Sequence, residues 1–348
     1  MRVCDQCFND DEIKRFILSE SNHEGTCDCC DQNGHLVEIA ELLDFFLEFV
    51  SIFKLDEFGG RPLINIVQED WDIFSSHKIA NKILSEIDFS SAKGLNQELF
   101  SASNGFDLQV SVSYIDEIVE SILFWSMLKD DIKWKRRFFA DIDEMTELGW
   151  DAMFNVITII DEKNILYRSR INQDGQLVPY PINEMGTPPN KKSTAGRANP
   201  QGIPYLYLSR TIGTTLYESR ATFLDNISVG YFCIKAGKEV TLVDFTKNLS
   251  PFGQVDIKMF TKAKLTRDVI SKDLSEPLRR YDSELEYIPT QFICEYIRFF
   301  TKADGIQFYS SLEKGGVNVV LFNQENIECT NVELHQITEV KINSKKIN

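Results

Sequence analysis

Ile165-Leu-Tyr-Arg-Ser-Arg-Ile171 is the stretch on which the reading of this chain turns. Its alternation predicts a strand with Arg168 and Arg170 on one face and Tyr167 and Ser169 on the other. Two guanidiniums on one face need an anion, a carboxylate or water, and arginine forks match phosphate oxygens. Four further segments extend the pattern: Gly196-Arg-Ala-Asn-Pro-Gln-Gly202, Tyr205-Leu-Tyr-Leu-Ser209, Gly305-Ile-Gln-Phe-Tyr-Ser-Ser311 and Gly315-Gly-Val-Asn-Val-Val-Leu-Phe322. The glycines of the first permit close backbone approach, and its Arg197 adds another cation. Glu218 falls on a helix predicted over residues 211–224. Ser310 and Ser311 come directly after a short predicted strand over residues 306–309.

The surroundings are read in the same way. Asn155-Val-Ile-Thr-Ile-Ile160, Val229-Gly-Tyr-Phe-Cys-Ile234 and Glu239-Val-Thr-Leu-Val-Asp-Phe245 are β-branched and aromatic runs that predict strands. Residues 289–302 keep helical period. Between the cysteine-rich start and residue 152 the pattern is helical. Glu38, Glu41, Asp44 and Glu48 form an acidic stripe, Ile79 to Ile87 and Ile115 to Leu123 repeat at helical spacing, and residues 129–151 add a charged helix. These stripes predict a helical bundle core.

Five of the eight cysteines lie in the first thirty residues. Cys4-x-x-Cys7 and Cys27-x-x-Cys30 match the spacing at which two thiolate turns surround one metal. Four thiolates favour zinc or iron and leave no open position, so a structural zinc is expected. Cys29 is a replacement for Cys27 or a bystander, and His23 and His35 read as surface residues. Cys233, Cys294 and Cys329 stand singly and read as ordinary residues.

A net charge of −16 argues against broad nucleic-acid binding, which needs clustered cations. No run has the apolar length of a membrane span, and the start lacks a signal peptide's apolar core, so a cytoplasmic address is expected.

The arginine, glutamate and serine in these settings resemble the RES domain, a family named for those three residue types, over residues 155 to 325. The resemblance implies a fold related to ADP-ribosyltransferases, with a split sheet, and consumption of NAD by a bacterial toxin. Carried over position by position, it implies catalytic roles for Arg168, Glu218 and Ser310. It implies substrate contacts for Arg197, Tyr207 and Asn318, with Tyr207 stacking on the nicotinamide or bonding its ribose, and the strand face shared with Arg168 adds Arg170 to the expected substrate contacts. The family's motif serine usually comes after a proline, where this chain has Tyr309. A cysteine-rich start and the helices after it also resemble the HEPN-like extensions of related proteins. Yet no arginine here precedes a histidine by four to six residues, as HEPN ribonucleases require.

The expected architecture is therefore α+β: a four-cysteine module over 1–35, a helical domain over 36–151, a mixed RES domain over 152–330 and a tail over 331–348. The Rossmann glycine fingerprint, the P-loop and the nucleophile elbow are all missing, so NAD is expected as a consumed substrate. Water, phosphate or a protein side chain would accept the ADP-ribose. The family's setting implies a toxin held by an antitoxin or an anti-phage effector. An antitoxin or regulatory protein and a second copy of the chain are the expected partners. The rival reading is a non-enzymatic adaptor with a degenerate RES domain.

Overall fold

Residues 165–171 do form a strand, and it lies inside an eight-stranded sheet. The structure, a computed structural model, describes residues 1–21, 23–88, 109–173, 176–277, 283–340 and 346. The chain divides into two compact units, Met1–Phe124 with Asn248–Leu265, and Trp125–Lys247 with Thr266–Asn348. These bounds differ from the expected division at residue 151, because residues from Trp125 onward pack with the second unit. Among the described residues no helix is long and apolar enough to cross a membrane.

The fold is mixed α+β, as expected, and the first unit carries two small sheets beside its helices. Strands β1 (Arg2–Cys4), β2 (Glu24–Thr26) and β3 (Asn33–Glu38) form one three-stranded sheet, in the order β1-β3-β2. Strands β4 (Phe53–Leu55), β5 (Arg61–Pro62) and β6 (Ser111–Tyr114) form another, where the stripes beyond residue 36 predicted helices alone. Helices α1 (Asp11–Glu20), α2 (Leu43–Val50), α3 (Leu63–Glu69) and α4 (His77–Glu86) complete it. Each helix starts or packs for a visible reason. The Asp10 carboxylate accepts from the N–H groups of Glu12 and Ile13 and caps α1, which buries Ile13 and Ile17 one turn apart. Ser76 caps α4, which buries Ala80, Ile83 and Leu84. Glu38 and Glu41 of the acidic stripe form a capping box before α2. The core gathers Phe46, Phe49, Trp71, Phe74 and Phe252 in edge-on and stacked ring contacts.

Helix α5 (Asp116–Trp134) supplies its last residues, from Trp125, to the second unit. The continuous helix expected over 129–151 breaks after α5. The N–H groups of Lys135 and Arg136 both turn back to the Asp131 carbonyl, and the Asp141 side chain caps a fresh helix, α6 (Ile142–Glu147). A short α7 (Trp150–Met153) comes next. The sheet then takes strands β7 (Ile157–Ile160), β8 (Ile165–Ile171), β9 (Leu206–Ser209), β10 (Asn226–Ile234), β11 (Val240–Asp244), β12 (Gly305–Tyr309), β13 (Val317–Leu321) and β14 (Ile327–Gln336). Helix α8 (Ile212–Glu218) lies between β9 and β10 in sequence, α9 (Ile257–Ser275) ends in this unit, and α10 (Ile288–Phe300) precedes β12.

The strand order is β14-β10-β8-β9-β13-β12-β11-β7. Its two halves meet at a single register pair, Tyr167 of β8 with Ser209 of β9. On either side the ladders are long: β8 pairs with β10 over seven positions, and β9 with β13 over four. The sheet is thus all but split at its centre. Two expected boundaries move. Helix α8 stops at Glu218 rather than near 224, since Arg220 turns left-handed with φ +52°. Strand β14 pairs with β10 as far as Gln336, so residues 331–336 belong to the sheet rather than to a tail. Residues 341–345, 347 and 348 of the expected tail lie outside the described residues.

Candidate active site and metal centre

Where β8 and β9 part, the second unit opens into a cavity of about 490 Å³. Arg168, Ser169, Arg197, Tyr207, Glu218 and Asn318 line it, together with Ser209, Arg220, Tyr287 and Phe308. Among the described residues Arg168 and Arg197 bring two guanidiniums near the Glu218 carboxylate, which suits an anionic ligand.

Glu218 is the last residue of α8, and its Oε1 is held from two sides. Ser310 Oγ donates to it at 2.7 Å, and Asn318 Nδ2 donates at 2.7 Å. Both donors come from one hairpin: Ser310 sits just past β12, and Asn318 lies on β13 opposite Phe308. Ser209 Oγ in turn donates to Asn318 Oδ1 at 3.1 Å and fixes which way the amide faces. The Ser310 hydroxyl accepts from the N–H groups of Leu312 and Glu313, while Ser311 is exposed. The turn therefore aims Ser310, not Ser311, at the carboxylate. These bonds leave Glu218 Oε2 without a hydrogen-bond donor among the described residues.

The seam in the sheet is filled from α8. The Ser169 N–H of β8 donates to Thr215 Oγ1 at 2.9 Å, and Ser169 Oγ donates to the Thr215 carbonyl at 2.6 Å. Helix α8 takes the place there of a strand.

Arg168 and Arg170 do share a face, since they donate to the carbonyls of Gly186 and Glu184 in one neighbouring segment. Their surroundings differ. Arg168 borders the cavity, and burial, with a smaller contribution from the charge of Arg170, lowers its pKa to about 10. It stays charged at neutral pH, but at a desolvation cost that an anion would relieve. Arg170 is exposed, stacks on Tyr180 at 4.7 Å and is not among the residues that line the cavity.

Arg197 rides on the glycine-rich loop. Its Nη1 donates to the Leu274 carbonyl at 2.6 Å; burial lowers its pKa and the charge of Glu218 opposes that shift. Tyr207 lines the cavity, and its hydroxyl is committed to the loop: it donates to Asn199 Oδ1 at 2.7 Å and accepts from the Ala198 N–H at 3.0 Å. Burial pushes its pKa well up. A Cβ on Gly196 would lie 2.6 Å from both the Tyr207 hydroxyl and Asn199 Oδ1, so only glycine fits. Gln291 and Thr290 of α10 bind carbonyls of Gly196, Asn199 and Arg197.

Sequence reasoning missed several of these groups. Asn199, whose amide ties together the carbonyls of Thr194, Pro200 and Ile203, belongs to the glycine-rich segment, yet only the glycines and arginine of that segment carried an expected role. Ser209, Tyr287 and Phe308 carried no pattern of their own.

In the first unit, Cys4, Cys7, Cys27 and Cys30 bring their sulfurs within 4.8 Å of one another. Measured edges are 3.8 Å for Cys4–Cys7, 3.5 Å for Cys4–Cys30 and 3.6 Å for Cys7–Cys27. Four sulfurs about 2.3 Å from one cation, at the corners of a tetrahedron, lie about 3.8 Å apart. The donor set and its spacing fit a tetrahedral metal. Without a cation, burial and neighbouring thiols push Cys4 up to about 12 and Cys7 higher still. A divalent ion removes that penalty by holding thiolates. Cys29 stands outside the cluster, with its N–H donating to Cys27 Sγ at 3.3 Å. Lys82 of α4 binds the carbonyls of Asp28 and Cys29 and pins the second knuckle. All eight cysteines are free of disulfides.

Compared with known protein families, residues 165–341 match the RES domain. No curated protein and no solved structure matches the chain.

Proposed function

Because the chain belongs to the RES-domain family, we propose that it consumes NAD by breaking the bond between nicotinamide and ribose. The observation that carries this reading is Glu218, fixed through Oε1 by Ser310 and Asn318 at the wall of a cavity that Arg168 and Arg197 also line. Cleavage breaks the C1′–N bond, and nicotinamide leaves with the bonding electrons. The ribose is left with oxocarbenium character. A carboxylate beside it stabilises that charge, and Oε2 can accept a ribose hydroxyl. Arg168 and Arg197 hold the pyrophosphate, and Tyr207 keeps the Arg197 loop in place. Ser310 orients Glu218 rather than attacking; among the described residues no histidine lines the cavity to activate it. An oxygen of water, phosphate or a protein side chain then bonds to C1′ and loses its proton. The four-cysteine cluster holds a structural zinc. In a cell such a reaction makes the chain a toxin or anti-phage effector, restrained by an antitoxin or a regulatory partner.

Glu218→Gln tests the assignment. The amide keeps an Oε1 acceptor for Ser310 and Asn318 and removes only the charge. NAD loss, tracked with its products resolved by chromatography, should fall by about 10²–10³ while the melting temperature holds. Equal NAD loss in the two proteins would sink the assignment.

A further inference from the structure

A second cavity, of about 350 Å³, shares Arg197 and Tyr287 with the first. Its far wall comes from Lys129 and Lys133 of α5 and from Glu276, Pro277 and Glu286. Residues 129 and 133 lie upstream of the segment 165–341 that matches the family, so this chain adds that wall to the domain.

The linkage between the cavities has a chemical order. If Glu218 marks the ribose whose bond breaks, the pyrophosphate lies next along a dinucleotide, and Arg197 stands there, on the wall common to both cavities. Beyond its pyrophosphate, NAD continues into a second ribose and a purine. The second cavity suits that uncharged end better than another phosphate. Lys129 pairs with Asp273 at 2.8 Å and Lys133 with Glu286 at 2.6 Å, so its two lysines are neutralised locally. Tyr287, Pro277 and Pro289 offer flat faces to a base, and the carboxylates of Glu276 and Glu286 can accept ribose hydroxyls.

We propose that this second cavity is the seat of the adenosine half of NAD, with α5 supplying its outer wall. The inference rests on the reading of the first cavity as an NAD site. Its test uses the full chain and two inhibitors of NAD loss, adenosine monophosphate and nicotinamide mononucleotide, each of which carries one half of the dinucleotide. Both should inhibit the unmodified protein. Lys133→Trp and, separately, Glu276→Trp fill the second cavity from two sides. Each should weaken inhibition by adenosine monophosphate about tenfold, a change of roughly 1.4 kcal/mol, and leave inhibition by nicotinamide mononucleotide unchanged. Failure of adenosine monophosphate to inhibit the unmodified chain overturns the proposal. So does an equal change, or no change, for both inhibitors in both variants. If the unmodified chain leaves NAD intact, the reading of the first cavity fails and this inference goes with it.

Discussion

The four-sulfur cluster and the arginine-lined cavity are both built around charge, and they treat it in opposite ways. Cys4, Cys7, Cys27 and Cys30 face inward on one point with edges of 3.5–3.8 Å, which leaves no vacant position once a cation is there. The cavity of the second unit is not closed in this way: among the described residues Arg168, Arg197 and Glu218 border an open space of about 490 Å³. A closed donor set serves folding, whereas an open charged cavity serves a ligand that comes and goes. The same contrast separates their supporting bonds. Lys82 holds the backbone of a cysteine knuckle, while Ser310 and Asn318 hold the Glu218 carboxylate.

The largest effect expected from breaking this contrast is on the metal. Cys7→Ser opens the donor set, and apparent affinities of four-ligand structural zinc sites are about 10 kcal/mol or more. Metal analysis of the purified variant should find the ion gone, with a lower melting temperature by circular dichroism. A full equivalent of metal retained by the variant would refute the four-thiolate site. A smaller effect is expected at the cavity. Ser310→Ala removes one of two donors to a carboxylate, worth about 1.5–3 kcal/mol, so kcat should fall roughly 10- to 100-fold with little change in melting. A fall in melting with no fall in kcat would assign Ser310 to folding alone. The smallest effect separates two neighbours on one strand. Arg168→Ala should raise the KM for NAD about tenfold, as loss of a charge-assisted phosphate contact implies. Arg170→Ala, outside the cavity, should leave it within about twofold. Equal effects from the two substitutions would show that the strand face, not the cavity, binds the anion.

Much of the second unit was legible because its strands alternate or run apolar, and because its glycines and charged residues fall in ordered segments. Residues 165–171 form a strand and 306–309 lie in one where expected, and Glu218 lies on a helix, though at its end rather than inside it. The sheets of the first unit were illegible for a physical reason. Strands such as Glu24–Thr26 and Arg61–Pro62 are two or three residues long, too short to show a period, and strong apolar stripes beside them read as helix. Arg170 shows the limit of the site reading. Alternation places a side chain on a face, but which part of that face borders a cavity depends on segments distant in sequence, here Glu184 and Tyr180. Asn199 shows another limit: an amide that ties loop carbonyls together has no spacing rule to announce it.

The seam between β8 and β9 has one more consequence. A sheet that could zip shut there would gain backbone hydrogen bonds and erase the cavity floor. It cannot, because Ser169 has already given its N–H and its hydroxyl to Thr215 of α8, the helix that ends in Glu218. The carboxylate is mounted on the wedge that keeps the sheet apart. The cleft therefore stands ready before any ligand arrives, and binding energy need not be diverted to prising it open.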